Sequence, residues 1–155
     1  NYERFFEESS YLYHNRKIQK NIIEFSDFLV NVLKVEKIPG ARMEAKVTYH
    51  DSCSALRECG IKNEPRKLLK NVEGLQLIEM ADVETCCGFG GTFAVKFEAI
   101  STGMAEQKVE NAEATGAEFI ISTDASCLMH INGFSAKKGK NIKTLHLADV
   151  LAMGW

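Results

Sequence analysis

Proline is scarce in this chain, with 2 residues among 155, and glycine contributes only 11. That excludes a collagen-like or low-complexity disordered segment. No apolar run approaches the roughly 20 residues that a membrane-crossing helix requires. The opening Asn1-Tyr2-Glu3-Arg4 does not read as a secretory leader, so a cytoplasmic location is expected. Charge of one sign is also missing: 19 Lys+Arg against 21 Asp+Glu leave −2, and neither sign forms a block of five. A nucleic-acid or anionic-lipid partner is therefore not expected. What remains is 45% apolar and 26% charged, enough to bury one core in a chain of about one domain. Five cysteines, an odd number with Cys86 and Cys87 adjacent, suit a disulfide framework badly. In a reducing compartment such cysteines bind metal or act in catalysis more often than they bridge.

Residues 1–36 place Phe5, Phe6, Leu12, Ile18, Ile22, Phe25, Phe28, Leu29, Val32 and Leu33 at mostly three- and four-residue intervals, which predicts amphipathic helices. Ile38-Pro39-Gly40-Ala41 breaks that pattern and marks a boundary between a helical segment, 1–40, and a second region, 41–155. In the second region short β-prone runs at 47–50, 75–79, 118–122 and 142–146 alternate with helical stretches near 54–71, 93–115 and 125–137 and a last helix. Strands alternating with helices imply βαβ crossovers, hence an α/β fold with a three-layer, Rossmann-like parallel sheet.

On that reading Cys53 follows the first strand, Cys86 and Cys87 the second and Cys127 the third, while His146 closes the fourth. Loops at the carboxyl ends of parallel strands share one edge and build the ligand crevice, so these residues can converge. The spacing is Cys53, 32 residues, Cys86-Cys87-Gly88-Phe89-Gly90-Gly91, 35 residues, then Cys127-Leu128-Met129-His130. Thiolates with an imidazole suit an iron-sulfur cluster or zinc. Gly88, Gly90 and Gly91 permit positive φ and a close approach of the backbone to an inorganic group. Helices opening near Ser54, Phe93 and Ala125 would turn positive dipole ends toward it. His130 lies one turn beyond Cys127 on the same helical face; it can ligate the same metal, support the ligands or belong to the core. A glycine loop can also cradle phosphate, but Gly88–Thr92 fits neither GxGxxG nor Walker A. Cys59 reads as a small buried hydrophobe outside the pattern, His14 as a surface residue, and Asp51 and Asp124 first of all as helix caps, with His50 beside them.

The runs VTYHDSC (47–53), CCGFGGTFAVKF (86–97), CLMHINGF (127–134) and HLADVLA (146–152) resemble the lactate-utilisation branch of the cysteine-rich CCG-domain iron-sulfur proteins. That family is related to the B subunit of heterodisulfide reductase and the iron-sulfur subunit of glycolate oxidase, and the match spans residues 23–152. Such proteins carry two CCG halves, whereas this chain holds one. The resemblance therefore implies that residues 1–40 connect to an absent first half, and that self-association could cover apolar surface exposed there. It also implies cluster ligation by Cys53, Cys86, Cys87 and Cys127, with His130 standing where the general motif has its last Cys. The cluster would be [4Fe-4S] or non-cubane, or the site would hold zinc.

The function so implied is an iron-sulfur electron-transfer subunit of a complex that oxidises L-lactate to pyruvate, inactive alone. Lactate oxidation releases two electrons and no flavin or nicotinamide fingerprint is visible, so other subunits of the complex must supply further centres. The alternative is a zinc-binding structural or scaffold module using the same cysteines. A dithiol oxidoreductase based on Cys86-Cys87 is disfavoured, because adjacent cysteines form a strained bridge.

Overall fold

The computed structural model describes residues 11–19 and 21–154, so the first ten positions of the expected helical segment lie outside the described residues. Among the described residues four strands, β1 (Arg42–Tyr49), β2 (Glu73–Leu77), β3 (Phe119–Ser122) and β4 (Lys143–His146), form one sheet in the order β2-β1-β3-β4. Every pairing is parallel, with Lys46 opposite Gln76, Thr48 opposite Ile120 and Ile121 opposite Leu145. The helices in chain order are α1 (Leu12–Gln19), α2 (Phe25–Asp27), α3 (Glu64–Lys70), α4 (Thr92–Lys96), α5 (Glu98–Glu113), α6 (Ala125–Lys137) and α7 (Leu147–Ala152).

Two cores follow from the strand alternation. Successive side chains of a strand point to opposite faces. Val47, Tyr49 and Ile121 accordingly join Leu68 and Leu69 of α3 and Leu147 and Val150 of α7 on one side. Ile120 joins Ala105, Val109 and Ala112 of α5 and Ile131 and Phe134 of α6 on the other. The three-layer parallel α/β architecture is thus present, and β3 is apolar on both faces because both are covered. A π-helical turn, Phe28–Val32, continues α2 and sends Val30 into the first core.

Two expected helices are interrupted. The 54–71 stretch forms a π-helical turn, Ser54–Glu58, then breaks at Gly60 with φ +70° before restarting as α3. Pro65 lies in the first turn of α3, the place where its missing N–H costs nothing. The 93–115 stretch kinks at Phe97, with φ −126° and ψ 50°, which divides α4 from α5. β1 begins at Arg42 instead of residue 47 because Arg42 pairs with Glu73 at the edge strand β2.

Connections leave β1 toward β2 on one side and β3 toward β4 on the other. The gap between the carboxyl ends of β1 and β3 is therefore the switch point where α/β sheets hold ligands. The crossover from β2 to β3 passes this gap, and its loop carries Cys86 and Cys87.

Candidate metal centre

At the end of β1 the chain remains pinned to its neighbour. The His50 N–H donates to Ile121 O at 2.8 Å, and Ser122 Oγ donates to His50 O at 2.9 Å. His50 is fully buried, yet neither ring nitrogen makes a hydrogen bond. Its nitrogen, Cys87 Sγ and Cys127 Sγ all lie within 4.8 Å of one another. Three donor atoms contributed by a strand end, a crossover loop and the first turn of α6 thus converge, and this group can hold a metal ion. Buried polar groups ordinarily find partners, and an imidazole with two orphaned nitrogens beside two sulfurs suits a nitrogen-and-thiolate site.

The sulfurs also interact. The Cys87 thiol is held down to about 4, first by a hydrogen bond from Cys127, with burial opposing and the His50 imidazole assisting. Cys127 is pushed up, by that same bond and then by burial. The shared hydrogen bond thus favours the thiolate form of Cys87 and the protonated form of Cys127. Burial raises Cys53, and the charge of Cys86 and a hydrogen bond with it raise it further. Cys53 and Cys86 form a second sulfur pair at the same rim, and the Gly88 N–H donates to Cys86 Sγ at 3.4 Å, a contact that stabilises sulfur-borne charge.

Gly88 has φ +91°, and a Cβ there would fall 2.5 Å from Ser101 O and 2.9 Å from Met104 Cβ. Its missing side chain therefore lets the loop press against α5. Gly91 has φ +54° and faces open space, while a Cβ on Gly90 would meet Phe93 at 3.1 Å.

Asp124 caps α6 by accepting from the N–H groups of Ser126, at 2.9 Å, and Cys127, at 3.2 Å. Ser54 Oγ donates to the same carboxylate at 2.8 Å, tying the loops after β1 and β3. Asp51 does not act as a cap. Arg66 reaches both of its oxygens at 2.9 Å and also binds Glu79 at 2.7 and 3.0 Å, with the guanidinium 4.9 Å from the Tyr49 ring centroid. Asp51 is only 2% exposed, so an opposite charge must accompany it. Ser52 supplies the turn's cap instead, its Oγ accepting from the Ala55 N–H at 3.3 Å.

His130 stands outside the His50, Cys87 and Cys127 group. Its Nε2 lies 3.2 Å from Ser101 Oγ, and its ring packs on Phe89 at a centroid distance of 5.9 Å. His146 has both nitrogens engaged: Nε2 is 3.0 Å from Thr123 O, and Nδ1 accepts from the Ala148 N–H at 3.1 Å, capping α7. His14 is exposed. Cys59 is exposed as well, not buried as a small hydrophobe would be, because the chain turns outward at the Gly60 break. His50 is the donor that motif reading passed over. A signal was available in the alternation of β1, which sends His50 away from Tyr49 and toward the face that carries Cys87 and Cys127.

Residues 47–132, more than half of the chain, match the CCG family, described as a cysteine-rich domain. Lactate utilization protein A of Lysinibacillus sphaericus is 48% identical over 128 residues, covering 83% of this chain and 56% of that protein. Its namesake in Bacillus subtilis is 48% identical over 136 residues, 88% of this chain and 57% of that protein. The one in Halalkalibacterium halodurans is 50% identical over 136 residues, 88% and 55% respectively. The chain thus spans little more than half the length of these relatives. With its sulfurs gathered at one sheet edge and that match running from β1 into α6, the chain belongs to the CCG cysteine-rich domain family.

Proposed function

We propose that this chain carries an iron-sulfur centre held by Cys53, Cys86, Cys87 and Cys127 with His50, and that it passes electrons within an assembly oxidising L-lactate to pyruvate. The observation that carries the reading is the convergence of His50, Cys87 and Cys127 to within 4.8 Å, with the Cys53 and Cys86 pair beside it. Five donors exceed the four that close a structural zinc site, whereas a cluster with several irons can use them. A bound cluster would supply one-electron transfer. The chain's own contribution is to gather the thiols, favour the thiolate form of Cys87, donate the Gly88 N–H to sulfur and exclude water around His50.

The lactate role rests on the similarity to proteins named Lactate utilization protein A. Two electrons leave each lactate, so further subunits with their own centres are the expected partners. His130, Phe89 and Ser101 form the neighbouring wall of the site, and His130 serves it there instead of as a ligand.

Anaerobic treatment of the chain with iron and sulfide tests the proposal. A brown protein that retains iron and acid-labile sulfide after desalting, and loses both in Cys87→Ser, is the expected result. A colourless protein that binds one zinc and no iron would replace it with the scaffold reading.

A further inference from the structure

Three side chains of α5 fasten the loop that carries Cys86 and Cys87. Asn111 Nδ2 donates to Ala81 O at 3.1 Å, Lys108 Nζ donates to Asp82 O at 2.6 Å and Val83 O at 3.2 Å, and Ser101 Oγ donates to Gly88 O at 2.8 Å. Their spacing of seven and three residues places them on one face of the helix. Asn111 and Ser101 are neutral; Lys108 brings a charge.

Lys108 is 1% exposed. Both of its acceptors are uncharged carbonyls, and no described carboxylate forms an ion pair with it. A buried ammonium without an anion is costly and is ordinarily paired. Loop fastening alone does not call for that charge, since the amide of Asn111 and the hydroxyl of Ser101 fasten the same loop without one. Its neighbours in the chain, Ala105 and Val109, lie in the core that also contains Cys87 and Cys127. Burial pulls Lys108 below the ordinary lysine range, and among the charges opposing that shift Cys87 leads, followed by Asp82, Asp51 and Cys86.

Resting on the metal-centre reading above, we propose that Lys108 is the buried counter-charge of the thiolate centre. Its ammonium, anchored to the loop carbonyls, offsets the negative charge that several thiolates bring together. It thereby tightens metal binding and, for a redox-active centre, favours the reduced form, which carries one more negative charge. Lys108 is a positioning residue: it acts on the sulfurs through the loop and through its field, and is no ligand itself.

The test uses Co²⁺ as probe, added anaerobically to the metal-free chain and followed by its sulfur-to-cobalt charge-transfer absorption. Lys108→Gln keeps a donor without the charge, and Lys108→Arg keeps the charge. Lys108→Gln should bind Co²⁺ about 10–100-fold more weakly than the parent, the usual range for groups that support metal ligands, and Lys108→Arg should recover most of that loss. After iron and sulfide loading, the reduction potential of Lys108→Gln should move to more negative values and that of Lys108→Arg should stay near the parent. Melting of the metal-free variants confirms that they fold; if Lys108→Gln does not, the comparison moves to Lys108→Met with Lys108→Arg. Equal Co²⁺ affinity and equal potential in the parent and the uncharged variant would overturn the role of Lys108 and leave the metal centre standing. Failure of the parent to bind Co²⁺ at all would instead sink the metal-centre reading, and this inference with it.

Discussion

Replacing Gly88 with alanine puts a number on how tightly the sulfur loop is seated. Gly88 has φ +91°, and its new Cβ would sit 2.5 Å from Ser101 O, 2.9 Å from Met104 Cβ and 3.2 Å from the Ser101 carbonyl carbon. The left-handed backbone costs an L-residue about 1–2 kcal/mol. The contact is with helix backbone, which cannot rotate away as a side chain can, and overpacking of this kind adds about 1–3 kcal/mol. The total is about 2–5 kcal/mol. At about 2–4 °C per kcal/mol for a chain of this size, Tm should fall by about 4–20 °C. Gly116→Ala provides the control, since its φ is +71° but nothing lies within 4 Å of the added carbon. It should cost only the backbone component, about 1–2 kcal/mol. Thermal unfolding of the metal-free chain by circular dichroism, run on both variants together, makes the comparison. If Gly88→Ala and Gly116→Ala melt at the same temperature, the close seating of the loop on α5 is wrong. Because Gly88 follows Cys86 and Cys87 directly, Gly88→Ala should also lose metal that Gly116→Ala retains.

His50→Leu should make the metal-free chain more stable, by up to about 1–3 kcal/mol, because it removes a buried imidazole with two unbonded nitrogens, while metal binding weakens; a lowered metal-free Tm would mean that His50 is already satisfied. Arg66→Met leaves Asp51 buried without its partner and should cost about 3–5 kcal/mol in a urea titration, whereas Glu79→Gln, at the half-exposed end of the same network, should cost under about 1 kcal/mol. Asp124→Ala removes the α6 cap and should cost about 0.5–2 kcal/mol at neutral pH. The Asp124 carboxyl lies below its ordinary value: burial opposes the shift, but the bonds from Ser54, Cys127 and Ser126 outweigh it. Its stabilisation is therefore fully present above the unfolded pKa and is lost as pH falls through the lowered folded value. The stability gap between the parent chain and Asp124→Ala should close in strong acid; a gap that stays constant with pH would remove the ionised cap from the account.

The layer architecture was legible because β3 and α6 state it locally. Phe119–Ser122 is short and apolar on both faces, and Ala125–Lys137 opens with an Asp cap and carries a helical apolar stripe. The break at Gly60 is legible in principle, but the helical pattern around it masks it. Gly60 and Pro65 lie inside an otherwise helical stretch, and helical periodicity pulled residues 54–71 together although a glycine with positive φ and a proline in a first helical turn divide it. The kink at Phe97 has no Gly or Pro to announce it. Its position, between the turn that seats Gly91 and the helix that receives Gly88, is decided by tertiary packing.

The site divides along the same line. Cys53, Cys86, Cys87 and Cys127 can be assigned from sequence to one sheet edge because each follows a strand, and in a parallel sheet a strand end is an address in space as well as in the chain. His50, Lys108 and Arg66 could not be placed that way. His50 lies three positions from Cys53, within reach of being taken for part of a capping turn. What makes it a candidate donor is that the ladder to Ile121 extends one residue past β1 and delivers the imidazole beside two sulfurs that arrive from 37 and 77 residues downstream. Lys108 lies mid-helix in α5, where a lysine is ordinarily solvated; only the packing of the sulfur loop across that face turns it inward. Sequence spacing finds groups whose position depends on their own element. Groups whose chemistry depends on what another element lays over them become visible only when both elements are in place, and for that reason His50 and Lys108 are the sharper places to test the centre than the cysteines themselves.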